Sequence, residues 1–284
     1  MSKSARMPTL FISHGPGPMF YAKSSPTDKG FAKDCNVDAP VTHWYRQLAQ
    51  QMGLVDGGKY GKPKALVVFS AHWETPNNVW ITSNRDMKLF YDYYGFDKYL
   101  YDIEYPAKGD PELARRVFEI LKKANIDSKL DESRNYDRGV FVPLKLVFPD
   151  ADIPIIQISL REELNPTYQV QIGKALSHLR EEGILIIGSG QLTHNFSTMN
   201  DKKENEVFTQ AITGILTSSD LDNETRLNTL LNWESIPNAR KAHAREEHLL
   251  PLHTAAAAAG GSKATKLNNH WAQGMSLECF SFEE

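Results

Sequence analysis

The chain has 284 residues, 41% of them apolar, 24% charged and 10% aromatic, an ordinary globular composition with material for a large core. Its net charge of -3 and its lack of basic runs argue against a general binder of nucleic acid or anionic membranes. No apolar run approaches the ~18 residues of a transmembrane helix. The two cysteines, Cys35 and Cys279, form no CxxC unit, so two free thiols in a cytoplasmic protein are expected.

The N-terminal SKSAR leads straight into TLFI (9–12), too short an apolar run for the core of a signal peptide. TLFI predicts a first buried strand, which stops at His14 in the turn HGPGP. Residues 19–40 show little periodicity and are expected to form a loop beside His14. A helix is predicted over 41–52, with Trp44, Leu48 and Met52 inward. ALVVF (65–69) predicts a second strand, followed by His72 in SAHWE. Asp110-Pro111 supplies an N-cap and a first-turn proline for a helix burying Leu113, Val117, Ile120, Leu121 and Ala124. IPIIQIS (153–159) predicts a third strand, and Asn165-Pro166 opens another helix that Gly183 stops. ILIIG (184–188) predicts a fourth strand, with His194 a few residues on in GSGQLTHNF. A helix over roughly 205–217 would turn Val207, Ala211, Ile212 and Ile215 inward. AAAAAGG (255–261) reads as a helix end with a glycine stop, and MSLECFSF as a final strand. The four central strands are continuously apolar, as expected when helices cover both faces of a sheet. Their alternation with helices implies an α/β fold with a largely parallel or mixed central sheet flanked by helices. No composition shift marks a boundary, so residues 1–284 are expected to form a single domain.

Three predicted strands thus end in small-residue turns carrying His14, His72 and His194. In open α/β sheets the ligand crevice lies outside the carboxyl ends of the strands, so these three imidazoles should converge there. His243, His248 and His253, in KAHAREEHLLPLH, are each five residues from the next, about 140° apart on a helix. They cannot share one helical face and are expected to supply a single ligand. From the residues alone His248 competes for that place with Glu246 and Glu247, since two histidines and a carboxylate would make a facial triad for non-haem Fe(II). His43 and His178 read as solvated, and His270 stays open. No GxxxxGK[ST], GxGxxG or GxSxG motif occurs, which argues against a nucleotide-binding loop and a serine hydrolase.

The segments PTLFISHGPGP, VVFSAHWE, YDIEYPAKGDPELA, PDADIPIIQISL, GILIIGSGQLTHN and EEHLLPL, in this order, resemble the class III extradiol ring-cleavage dioxygenases of the DOPA-dioxygenase type. The resemblance covers residues 8 to about 282. It implies a mononuclear metal site at the sheet edge, held by His14, His72 and His248. It assigns His194 to acid–base chemistry, near enough to the metal to count as a fourth ligand in some states. The turn after His14 reads HGPGP where the family usually has HGSP. At the place of a pocket histidine in the family's DHG segment this chain carries Arg138, which stays protonated and is suited to a substrate carboxylate instead.

The expected activity is therefore opening of a catechol ring, DOPA-like or otherwise substituted, by O2 to a yellow semialdehyde. Fe(II) is expected as the working metal, with Zn(II) able to occupy the same ligands. His194 would take a proton from the catechol and return it later in the reaction. Asn195 would orient His194 or a bound oxygen. Trp73, beside a ligand, is a candidate pocket wall, with ordinary core packing as the competing reading. The partners are the small substrate and O2, with no nucleic acid or membrane, on a monomer or small homo-oligomer. A zinc hydrolase and a catalytically silent metal-binding scaffold are the alternatives, separated by dependence on O2 and by metal content.

Overall fold

Stretches of Val, Ile, Leu and Phe too apolar to leave in water organise the chain into ten strands in a computed structural model that describes residues 6–283. Residues 2–5 of the SKSAR stretch lie outside the described residues. The strands are β1 (Thr9–Ser13), β2 (Ala65–Thr75), β3 (Val79–Thr82), β4 (Ser128–Asp131), β5 (Ile155–Arg161) and β6 (Ile184–Gly190), then β7 (Ala264–Lys266), β8 (Trp271–Ala272), β9 (Met275–Ser276) and β10 (Phe280–Phe282). Eight form one mixed sheet in the order β4-β3-β5-β2-β6-β1-β10-β7, and β8 and β9 make a separate small pair. The four strands read from the sequence are its centre, β5-β2-β6-β1, and all run parallel. Their carboxyl ends therefore lie along one edge. The short outer strands β4 and β7 were not legible as apolar runs, whereas the apolar VWIT of β3 was passed over. β4, for instance, is SKLD.

Among the described residues nine α-helices surround the sheet: α1 (Phe31–Cys35), α2 (Pro40–Gln51), α3 (Pro111–Lys123), α4 (Arg138–Val147), α5 (Pro166–Leu176), α6 (Lys202–Thr217), α7 (Asn223–Leu231), α8 (Ala239–Ala242) and α9 (Leu250–Ala258). Their starts follow capping chemistry. Asp110 accepts hydrogen bonds from the amides of Glu112 and Leu113, and Asn165 accepts one from Thr167, which satisfies donors that the first turn leaves without partners. Alternation along the strands divides the core. Leu10, Ile12, Leu66 and Val68 pack with α2 and α4 on one face. Val67, Phe69, Ile156 and Ile158 pack with α3 and α5 on the other, where Phe11 joins α6, α7 and α9.

Several sequence expectations need correction: MSLECFSF holds two strands, β9 and β10, in different sheets, and Ala124, expected on the buried face of α3, is exposed. Residues 19–40 are not a bare loop: they hold a 3-10 turn (Met19–Tyr21) and α1. In α2 the buried aromatic is Tyr45, with Trp44 half-buried, because Tyr45 shares the helix face of Leu48. In α6 Val207 is exposed, and Phe208, Ile212 and Leu216 face the core at i, i+4, i+8 spacing.

One contact connects the fold directly to the site. At Gly190, the last residue of β6, a Cβ would lie 2.1 Å from the carbonyl oxygen of His248. Glycine there lets the chain before α9 lie against the strand end, where the Gln191 amide donates to that same carbonyl at 2.9 Å.

Candidate functional site

His14 and His194 follow strand ends, but His72, expected in a turn after its strand, lies inside β2, which runs on to Thr75, and His248 precedes α9. His14 follows β1, and its amide donates to Gly190 O at 2.9 Å, extending the β1–β6 ladder by one residue. Gly15 then turns with φ +75°, and a Cβ there would meet the Phe20 ring at 2.5 Å. Glycine therefore ends the strand directly after the histidine. His72 lies in β2, where pairing with β5 shifts register between Phe69 and Glu74, an irregularity that re-aims side chains. His248 precedes α9, fixed through the Gly190 contact.

The rings of His14, His72 and His248 meet with centroids 4.6 to 5.2 Å apart, and one ligand nitrogen from each lies within 4.8 Å of the others. The nearest approach is Nε2 to Nε2 between His14 and His72, 2.9 Å. Two nitrogens at right angles on one ion, each about 2.1 Å from it, would be about 3 Å apart. The partners on the far side of the rings fix the tautomers. Ser189 Oγ gives its single proton to Gly139 O at 2.5 Å, so at its 3.1 Å contact with His14 Nδ1 it accepts. That places the His14 proton on Nδ1 and a lone pair on Nε2. Glu247 Oε1 lies 2.8 Å from His248 Nδ1 and does the same for that ring. Burial, reinforced by the neighbouring imidazoles and Arg138, holds His14 and His72 well below the usual histidine range. Burial, with His194 beside it, pushes His248 down to about 3. Three neutral imidazoles aimed at one point form a donor set that fits a divalent transition metal.

His194 comes from the loop after β6 and stacks on His248, centroids 3.5 Å apart and planes within 17°. Its Nδ1 lies 3.4 Å from the same Glu247 oxygen that holds His248. Burial raises the Glu247 carboxyl, but the contacts with His194 and His248 outweigh this and leave it well below the usual carboxylate range. Glu247 is thus the anion beneath two rings. It and Glu246 were weighed in the sequence as metal ligands. In the structure Glu246 pairs with Arg240 at 2.6 Å.

The other singled-out residues divide. Arg138 lines the cavity above the histidines, together with Asp92. Its amide donates to Asp92 Oδ1 at 2.8 Å, and its Nη1 donates to Asp92 O and, at 3.1 Å, to Oδ2. Burial and nearby Asp137 lift the Asp92 carboxyl to about 6, against the pull of Arg138. Asn195 and Trp73 are outside the cavity lining. Asn195 donates to Lys241 O at 2.8 Å and accepts from Ser197, so it braces its own loop. Trp73 is buried under the Arg134 guanidinium, 5.3 Å from its ring, because successive residues of a strand point to opposite faces. His43 and His178 are exposed and His270 is half-buried. His243 and His253 are buried on backbone carbonyls, those of Leu192 and Leu230 respectively.

The cavity has a volume of about 310 Å³, within the range of small-molecule sites. Its histidine floor meets walls from Tyr93, Phe96, Met19 and Phe31, with Phe196 and Tyr94 exposed at the mouth. Sequence reasoning missed Asp92, Tyr93 and Phe96. The cluster DYYGF (92–96), aromatic and without periodicity, was the available signal.

Residues 8–276 match the family described as the catalytic LigB subunit of aromatic ring-opening dioxygenase. A 4,5-DOPA dioxygenase extradiol-like protein of Schizosaccharomyces pombe is 36% identical over 265 residues, 91% of this chain and 86% of its own length. The 4,5-DOPA dioxygenase extradiol of Beta vulgaris is 35% identical over 283 residues, 96% of both chains. The crystal structure of an uncharacterized protein from Escherichia coli K12 superposes with a TM-score of 0.69 at 26% identity, covering 98% of this chain and 100% of that one.

Proposed function

The chain belongs to the LigB family of aromatic ring-opening dioxygenases and is an extradiol ring-opening enzyme, and we propose that it opens a catechol on a ferrous ion held by His14, His72 and His248. The observation that carries this reading is the convergence of three neutral imidazoles at the floor of an aromatic-walled cavity, with a fourth histidine stacked beside them.

Ferrous ion bound there would supply the charge that attracts a catecholate and a path for electrons between the ring and O2. The protein's own residues supply the rest. Ser189 and Glu247 hold the His14 and His248 rings with Nε2 forward, which fixes the donor set before any ligand arrives. His194 keeps Nδ1 on Glu247, leaving Nε2 to accept a phenolic proton and return it when the ring opens. Tyr93 and Phe96 offer aromatic surface to a flat ring and limit water at the floor. The product is a semialdehyde that carries both atoms of O2.

Zn(II) suits the same three nitrogens and outcompetes Fe(II) for them, so the working metal is identified by activity and not by what a preparation contains. The test is anaerobic loading with Fe(II), then exposure to air with a panel of catechols at an oxygen electrode. We expect oxygen uptake matched one-to-one by a yellow product absorbing in the near-visible. No uptake by fully iron-loaded protein with any catechol would overturn the proposal, and would also be the result a zinc hydrolase gives.

A further inference from the structure

We infer that Arg138 is the anchor for a substrate carboxylate, so that the preferred catechol carries a carboxylate on a short arm and no ammonium group; this rests on the ring-opening reading above. Arg138 opens α4 and is fastened by one side only. Its amide and Nη1 are taken by Asp92. Its Nε and Nη2 make no hydrogen bond within the described residues, and neither is among the buried unpartnered atoms. The side chain lines the cavity and is 26% exposed. The Nε–Nη2 edge matches the two oxygens of a carboxylate, and the Asp92 tether removes much of the ordering cost of presenting it.

Position and charge agree. Asp92 Oδ2 lies 3.1 Å from Arg138 Nη1 and 3.8 Å from His72 Nδ1, so one carboxylate's width separates the guanidinium from the histidine floor. A ring whose hydroxyls meet that floor has its substituent within reach of Arg138. Among the residues lining the cavity Asp92 is the one acid and Arg138 the one guanidinium, and they cancel. A divalent ion on neutral histidines would favour an anionic substrate, and the open Nε–Nη2 edge of Arg138 is the lining's one cationic fork for its carboxylate. An ammonium group finds no such partner, because Asp92 is already committed to Arg138.

The test compares 3,4-dihydroxyphenylacetate, 4-methylcatechol and dopamine on the iron-loaded protein, first by anaerobic calorimetry and then by oxygen uptake. The acid should bind at least tenfold more tightly than 4-methylcatechol, with dopamine weakest. In Arg138→Gln the acid-over-methylcatechol ratio should fall at least tenfold, about 1.4 kcal/mol. Arg138→Lys, which keeps the charge without the fork, should fall between. Equal affinity of the natural protein for the acid and methylcatechol would overturn the anchor, as would survival of the acid's advantage in Arg138→Gln. Tight, Arg138-dependent binding of the acid with no oxygen uptake from any catechol would uphold the anchor and overturn the ring-opening reading instead.

Discussion

Glu247 is not among the residues lining the histidine cavity, yet it lies against two of its histidines. Its Oε1 lies 2.8 Å from His248 Nδ1 and 3.4 Å from His194 Nδ1. In Glu247→Ala the buried His248 Nδ1 loses its acceptor, and His194 loses the anion beside its Nδ1. A hydrogen bond to a charged acceptor contributes roughly 1.5–3 kcal/mol, and a buried donor left unpaired costs about 1–3 kcal/mol. At about 1.4 kcal/mol per decade this predicts a loss of one to two decades in metal affinity, the range usual for outer carboxylates on metal-bound histidines. Glu247→Gln keeps a neutral acceptor of about half the strength and should lose about tenfold. Arg245 retains its pairing with Glu74 in both variants, so the fold should hold. Competition of Fe(II) between protein and a chelator reads the affinity, with a thermal melt as the control for folding. Natural iron affinity and turnover in a folded Glu247→Ala variant would refute the reasoning.

The remaining predictions use the same assays. His72→Ala should fail to retain stoichiometric iron, whereas His194→Ala should retain it and lose turnover by about 10²–10⁴; natural turnover in the latter would remove His194 from proton transfer. Gly190→Ala forces a Cβ to 2.1 Å from His248 O and should cost about 1–3 kcal/mol in urea unfolding as well as iron affinity, so an unchanged midpoint would contradict the close approach. His253 is buried on Leu230 O, and burial lowers its pKa. Above pH ~6.5 it is neutral in both states. As pH falls below that, the unfolded chain takes up the proton first, and stability should drop by up to about 1.4 kcal/mol per pH unit. His253→Gln, which can still donate to Leu230 O, should show a shallower fall in urea midpoint between pH 7 and 5.5, and an equal slope would exclude His253 as a cause.

Much of this architecture was legible because it rests on short-range rules. The central strands β1, β2, β5 and β6 must be apolar on both faces, so their runs stand out, and the proline-led helices α3 and α5 declare their starts through Asp110 and Asn165. Parallel strands also bring their ends to one edge, which is why His14, His72 and His194 could be expected together before any coordinates, although His72 lies within β2 and not in a turn. What was not legible depends on side-chain direction and on long-range contact. Trp73 follows His72 in the chain, but the alternation of β2 buries it under Arg134 instead of in the cavity. Asn195 follows His194, yet its amide and carbonyl serve the loop.

Glu247 shows the limit most clearly. Beside His248 a carboxylate can be a ligand or a support, and local sequence favours neither. The choice is made by Gly190, nearly sixty residues earlier, whose missing Cβ lets the His248 backbone dock on β6. Docked there, the His248 ring reaches His14 and His72 while Glu247 lies behind it, against Nδ1. Which side chain faces His14 and His72 thus follows from how closely two segments of backbone can approach. A change at a glycine that touches no ligand side chain should therefore disturb the donor set as surely as a change at a histidine.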